Sequence, residues 1–221
     1  MKNVKTSMAI AISILLIPWI YLVKVYSSLP KIVPIHFGGD GKPNGYGDKS
    51  TLLIGVLVIS LVGLGVFFLL RNIKRIDPKK NAQNNPATFN KIAMAVVIFL
   101  TALSIIIISS TVHGSFYATT LLMPLMGIFF AFIGNIMFSL KPNHFVGIRV
   151  PWTLENDENW RKTHQIAGKV WFAGGLVLTI ASLLSGQRFH QFLFFAIVAV
   201  MVLVPVIYSF TEFKKNQKYQ S

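Results

Sequence analysis

The chain has 221 residues, 53% of them apolar and only 13% charged, with a formal net charge of +14 and no cysteine. A charged fraction about half the globular average excludes an ordinary soluble domain, and the missing cysteines exclude disulfides and thiolate metal sites. The basicity does not point to nucleic acid, because no stretch resembles a nucleic-acid-binding module.

The apolar residues fall in six blocks: residues 8–25, 51–70, 92–112, 119–140, 167–184 and 189–210. About twenty apolar residues are what a helix needs to cross a hydrocarbon layer. The sequence therefore predicts an all-α polytopic membrane protein with six transmembrane helices. A soluble helical protein would need charged faces on most helices, and SIIIISS and LFFAIVAVMVLVPVIY have none. Basic residues gather at the N-terminus (Lys2, Lys5), after span two (Arg71 to Lys91), after span four (Lys141 to Lys169) and in the tail (Lys214, Lys215, Lys218). The opposite side holds only Lys31, Lys42, Lys49 and Arg188, with Lys24 at a span end. Positively charged loops stay in the cytoplasm, so both termini are expected there, as a six-span count requires. The same basic side chains are expected to attract anionic membrane lipids.

Span one begins behind Lys2 and Lys5 but lacks a small-residue cleavage site, since VKVYSSLP follows it. It reads as a retained span rather than a signal peptide. The first connection, SLPKIVPIHFGGDGKPNGYGDKS, is glycine- and proline-rich and lies outside. VPIHF suits a short extended segment, and Asn44-Gly45 favours a hairpin-type reversal. Asp40, Asn44 and Gly45 imitate part of a calcium-binding EF-hand loop, but Lys42 and Thr51 stand where an oxygen ligand and a glutamate belong. Gly41-Lys42 imitates a phosphate loop, but Pro43 follows where serine or threonine is needed.

The second connection, RNIKRIDPKKNAQNNPATFNK, is polar and broken by prolines. It divides the chain into residues 1–75, a two-span unit with the outer loop, a cytoplasmic linker at 76–91, and a four-span unit at 92–221. The connections around HGSFYA and SGQRFH are short and external.

Chemistry is sparse. The spans hold no aspartate or glutamate, so neither ion coupling nor catalysis within the membrane is favoured. No nucleophile converges with a base, and no enzyme activity, metal or cofactor is expected. Of the five histidines only His144 and His164 share the inner side. With Asp157 or Glu158 they would make a weak zinc set, because they lack the spacing of adjacent helical turns.

The fourth connection, PNHFVGIRVPWTLENDENWRKTH, is the most particular. Gly147 and Pro151 prevent a helix, and proline pushes Val150 toward extended geometry. Glu155, Asp157 and Glu158 cluster where a new helix starts, offsetting its dipole. From Asn159 that helix runs into span five with Trp160, His164, Gly168 (with Ala167) and Trp171 along one face. Arg161 and Lys162 lie off this stripe, able to reach headgroups or a partner's acid. One account makes Trp152, Trp160 and Lys162 interfacial anchors. The other treats Asn143, Gly147, Arg149, Pro151 and Thr153 as a shaped backbone presenting an arginine to a carboxylate or phosphate. Asn135, near the inner end of span four, either receives hydrogen bonds from this loop or ties two helices together.

The motifs Gly134-Asn135-x-Met137, Asn143-x3-Gly147-Ile148-Arg149-x-Pro151-Trp152-Thr153 and Trp160-x2-Thr163-His164 resemble the SdpI family of bacterial membrane immunity proteins. The outer segment LPKIVPIHFGGDGKPNGYGDK resembles the short uncharacterised module that often precedes it, with Val33 where isoleucine is common. This resemblance implies protection against a secreted, membrane-active toxin peptide of the SdpC type. It also implies capture of a small cytoplasmic ArsR-type repressor. By the same resemblance, Pro34, His36, Asp40, Gly41, Pro43, Gly45, Tyr46 and Lys49 form the toxin-facing loop. Asn135, Asn143, Gly147, Arg149, Pro151, Trp152, Thr153, Trp160 and His164 form the inner motif. The rival reading is a small envelope transporter or membrane regulator unconnected with toxins.

Overall fold

The structure is a computed structural model that describes residues 2–38, 42–76, 86–113, 116–184 and 187–218. Asp40, Gly41 and residues 77–85 of the second connection lie outside these residues. Among the described residues six long helices carry the fold: α1 (Lys2–Tyr26), α2 (Ser50–Arg71), α4 (Pro86–His113), α5 (Phe116–Met137), α7 (Asp157–Leu184) and α8 (Gln187–Lys218). Two short ones, α3 (Ile73–Ile76) and α6 (Pro151–Glu155), flank them at one end. Even the 22 residues of α2 span about 33 Å at 1.5 Å per residue, enough for a hydrocarbon core. All six are long and apolar enough to cross a membrane, and this is a multi-pass membrane protein. Side chains such as Ile20, Val23, Leu61, Ile180 and Leu203 face outward, as they should where lipid is the solvent.

The helical class holds, with one addition. Residues 32–48 form an antiparallel ribbon, β1 (Ile32–Phe37) against β2 (Pro43–Asp48). The expected reversal at Asn44-Gly45 is displaced. Both residues lie inside β2, and beyond the strands the Gly38 N–H donates to the Lys42 carbonyl at 2.8 Å. Gly45 pairs with His36, and register shifts on either side of that pair bend the ribbon. The glycine serves close approach here, because a Cβ would stand 3.0 Å from the His36 Cβ. Val33 is fully buried among Leu22, Leu29, Leu52, Val56 and Ile108, which seats the ribbon on the ends of α1, α2 and α4.

At the other end a second core joins both halves of the chain. Ala11, Leu15, Phe67, Leu70 and Ile73 pack with Phe89, Ile92, Val97, Ile136, Leu140 and Trp160. Hydrogen bonds from the Trp19 indole to the Ser60 hydroxyl (3.1 Å) and from Arg71 to Ser7 (3.0 Å) tie α1 to α2.

The closest helix pair is α5 with α7. A Cβ on Gly127 would lie 2.7 Å from the Gly175 carbonyl oxygen, and one on Gly134 would lie 2.8 Å from the Trp171 carbonyl carbon. Backbones can approach this closely only where side chains are missing, which is how helices gain van der Waals contact in lipid. Helix α8 then packs on α7 through the Trp171 indole, which donates to the Met201 carbonyl at 2.8 Å.

Candidate partner-binding loop

Residues 138–156 leave the end of α5 and fold back under the bundle. Asn143 organises the turn and is fully buried. Its Oδ1 accepts from the N–H groups of Phe145 (2.9 Å) and Val146 (2.8 Å). Its Nδ2 donates to the carbonyls of Lys141 (2.9 Å) and Val146 (3.0 Å). One amide thus satisfies four main-chain groups, the side-chain substitute for secondary structure that asparagine offers. Phe145, Val146 and Leu154 pack against the shared core, so the loop is a plug.

Gly147 has φ +116, open only to glycine. That conformation brings the Ile148 N–H to Nε2 of His164 at 3.0 Å. Nδ1 of His164 lies 2.8 Å from the Trp160 carbonyl oxygen. Because Nε2 accepts, the proton sits on Nδ1, which donates to that carbonyl. The imidazole is neutral, buried and stacked on the Trp160 ring with centroids 4.0 Å apart. Both nitrogens are engaged, so His164 offers a metal no lone pair. Among the described residues no group of three or more histidine, aspartate or glutamate side chains is arranged to hold one.

Val150 is extended (φ −100, ψ 155), as its position before proline requires, and Pro151 opens α6. The buried Thr153 hydroxyl accepts the Val150 N–H at 3.2 Å and lies 2.8 Å from the Ile148 carbonyl, to which it donates. Asn156 then caps α7, its Oδ1 accepting the Asn159 N–H at 2.9 Å. Asp157 and Glu158 occupy the first turn of α7, as expected.

The interfacial-anchor account of the tryptophans gives way to a structural one. Trp160 is 1% exposed, and its indole donates to the Leu140 carbonyl at 2.8 Å. Trp152 donates to the Ser209 hydroxyl at 2.9 Å and packs against Phe210 and Phe213 of α8. Lys162 pairs with Glu158 at 3.1 Å and with Glu212 of α8. Asn159 donates to the Ser209 carbonyl at 3.0 Å and accepts from Thr163.

The motif residues therefore separate by exposure. Asn143, Thr153, Trp160 and His164 are buried scaffold, Gly147 gives the loop its shape, and Arg149 and Pro151 are exposed. Arg149 donates one bond to the His144 carbonyl at 2.5 Å, which steadies an exposed guanidinium. The loop does not reach Asn135. That residue is exposed on α5, and the amide at the centre of the network is Asn143. Sequence reasoning missed Ser209, Glu212 and Phe213, the α8 partners of the motif. The signal was present in Glu212, the single acid in a long helix with a basic end.

At the ribbon end, His36 meets the Asn44 side chain through Nδ1, and Tyr46 is 62% exposed. Lys49 turns inward, donating to the carbonyls of Tyr26 (3.2 Å) and Leu29 (3.4 Å) and lying over the Tyr26 ring. Pro34 pairs with Tyr46 across the ribbon.

Comparison with known proteins gives the same two regions. Residues 139–209 match the SdpI/YfhL protein family. Residues 13–61 match a domain of unknown function, DUF1648. "Immunity protein SdpI" of Bacillus subtilis (strain 168) is 26% identical over 211 residues, covering 93% of this chain and 95% of that protein. An uncharacterized protein of Archaeoglobus fulgidus is 44% identical over 52 residues, covering 24% of this chain and 27% of that protein. No solved structure matches. The SdpI/YfhL match runs from the folded-back loop through most of α8, and the DUF1648 match covers part of α1, the ribbon and the first half of α2.

Proposed function

We propose that this protein is an immunity protein that protects the bacterial membrane against a secreted, membrane-active toxin peptide. The observation that carries this reading is the end-to-end similarity to an immunity protein, over 93% of one chain and 95% of the other. The distribution of basic residues supports a ribbon outside and a folded-back loop inside. The ribbon then meets arriving toxin with His36, Asn44 and Tyr46, whereas Lys49 locks it to the bundle. Expression in a bacterium sensitive to an SdpC-type toxin is the test. Survival should rise with the amount of protein in the membrane; killing curves that overlie the empty-vector control at matched levels would end this reading.

The inner loop carries a second role, capture of a cytoplasmic ArsR-type repressor. Its support is the exposure of Arg149 and Pro151 on a backbone fixed by Asn143 and His164. Arg149→Ala should abolish recovery of the repressor with the membrane fraction and leave survival intact. Loss of both at normal protein level would make the arginine structural. The orientation has its own check in amine labelling of intact cells, which should reach Lys42 and spare Lys162.

A further inference from the structure

Two grooves on the bundle surface differ in one respect that matters in a bilayer. The groove between α7 and α8, about 410 Å³, is lined by residues such as Val170, Ala173 and Val177 and is almost wholly apolar. The groove between α4 and α5, about 330 Å³, is apolar along Ala95, Phe99, Phe129 and Phe132 but ends in Asn90 and Lys91. Those two residues lie near the start of α4, at the end of the bundle that carries the folded-back loop. Asn135 belongs to the same end. It follows Phe132 by three positions and Ile128 by seven, spacings that keep one helix face, and both of those residues line the groove. Phe99 and Phe129 stack across the two helices with ring centroids 4.5 Å apart. From that level, Lys91 lies about 12 Å along α4 and Asn135 about 9 Å along α5, at 1.5 Å per residue. An ammonium and one amide therefore stand at that end of the groove, with the Asn135 amide within about one helical turn of their level on α5. Among the described residues neither asparagine amide has a hydrogen-bond partner. The first turn of α4 holds no acid to neutralise Lys91.

An exposed asparagine on a spanning helix is unfavourable against hydrocarbon alone, and none of these three residues has a part in the loop or the ribbon. We propose that the α4–α5 groove is a binding site for one anionic phospholipid. An acyl chain lies along Ala95, Phe99 and Phe132. The phosphate meets Lys91, and the glycerol esters accept from Asn90 and Asn135. A helical peptide is the poorer occupant, because the stacked Phe99–Phe129 pair would have to part before a cylinder 10 Å across could enter. The site depends on neither the toxin nor the repressor.

Native mass spectrometry of the full-length protein, released from bilayers of equal phosphatidylglycerol and phosphatidylcholine, tests it. Wild type should retain one phosphatidylglycerol with about a fivefold preference, the scale expected for one basic side chain near an anionic surface. Lys91→Gln should remove the preference, Asn135→Leu should lower it, and Ala95→Phe should expel the lipid altogether. Ala173→Phe, in the apolar groove, should change none of these. Equal retention of both lipids by wild type, or an unchanged preference in Lys91→Gln, overturns the proposal. So does a dimer mass that Ala95→Phe abolishes, which would make the groove a contact between copies. If Ala95→Phe does not fold, the Lys91 and Asn135 variants decide alone.

Discussion

The positive φ of Gly147 places its backbone against the imidazole of His164, so closely that a Cβ there would collide with Nε2. One relationship thus fixes the turn, the histidine tautomer and the Ile148 hydrogen bond together. Gly147→Ala adds a left-handed penalty of about 1–2 kcal/mol to a lost hydrogen bond of about 1 kcal/mol. We expect a lower melting temperature in detergent and faster tryptic cleavage within the loop. In a double variant with His164→Ala, the loss should fall short of the sum, since the collision is shared.

Asn143→Ala leaves two N–H groups and two carbonyls of the loop without their shared partner. The cost should be on the order of 3 kcal/mol, given 1–3 kcal/mol for each buried polar group left unmet and partial access of water. Asn143→Asp keeps the acceptors but sets a carboxylate oxygen against two carbonyls, so it should not rescue the loop at neutral pH. The rate of trypsin cleavage after Arg149 reads both variants. Cleavage no faster than wild type in Asn143→Ala would show that the loop is held by its hydrophobic plug alone.

Glycines on different helices should respond oppositely to the same change. Gly175→Ala directs a Cβ to within 2.5 Å of the Gly127 carbonyl oxygen, so α5 and α7 must separate. Gly55 and Gly65 on α2 have nothing within 4 Å of such a Cβ. Gly175→Ala should destabilise strongly, whereas Gly65→Ala should be neutral or stabilise by up to about 1 kcal/mol through helix propensity. Thermal unfolding in one detergent compares them directly.

Asp48 accepts the Ser50 N–H at 2.9 Å at the start of α2. That bond, with the Ser50 hydroxyl and the charges of Lys31 and Lys49, holds its carboxyl below the ordinary 3.8. Because the folded value is the lower one, the contribution is complete above the unfolded value and is lost as pH falls through the folded one. Amide exchange at Ser50, corrected for its intrinsic rate, should show a loss of protection below about pH 4. Asp48→Asn should lack that step.

Residues from both halves of the chain share one core, and this bears on what local sequence can specify. The six spans, the break at Gly147 and Pro151, and the acidic start of α7 were all legible, because each depends on residues within a few positions. The displaced turn was not. Asn44-Gly45 is a good reversal signal locally, but seating Val33 among Leu22, Leu52 and Ile108 sets the register of the ribbon. The role of the tryptophans stayed open for a related reason. An indole suits an interface and a core equally well, and the choice for Trp160 was made by the Leu140 carbonyl twenty positions away.

Hydropathy and local backbone restriction by themselves determined that this chain crosses a membrane six times and carries two unlike polar segments. Which spans touch, and which motif residues support rather than present, was decided only by the tertiary structure. In lipid, the outside of a helix is as apolar as its packed face, so periodicity carries little information about neighbours. Close backbone approach at Gly127, Gly134 and Gly175 supplies that information instead. The same packing buries Asn143, Thr153 and His164 while leaving Arg149 and Asn135 exposed.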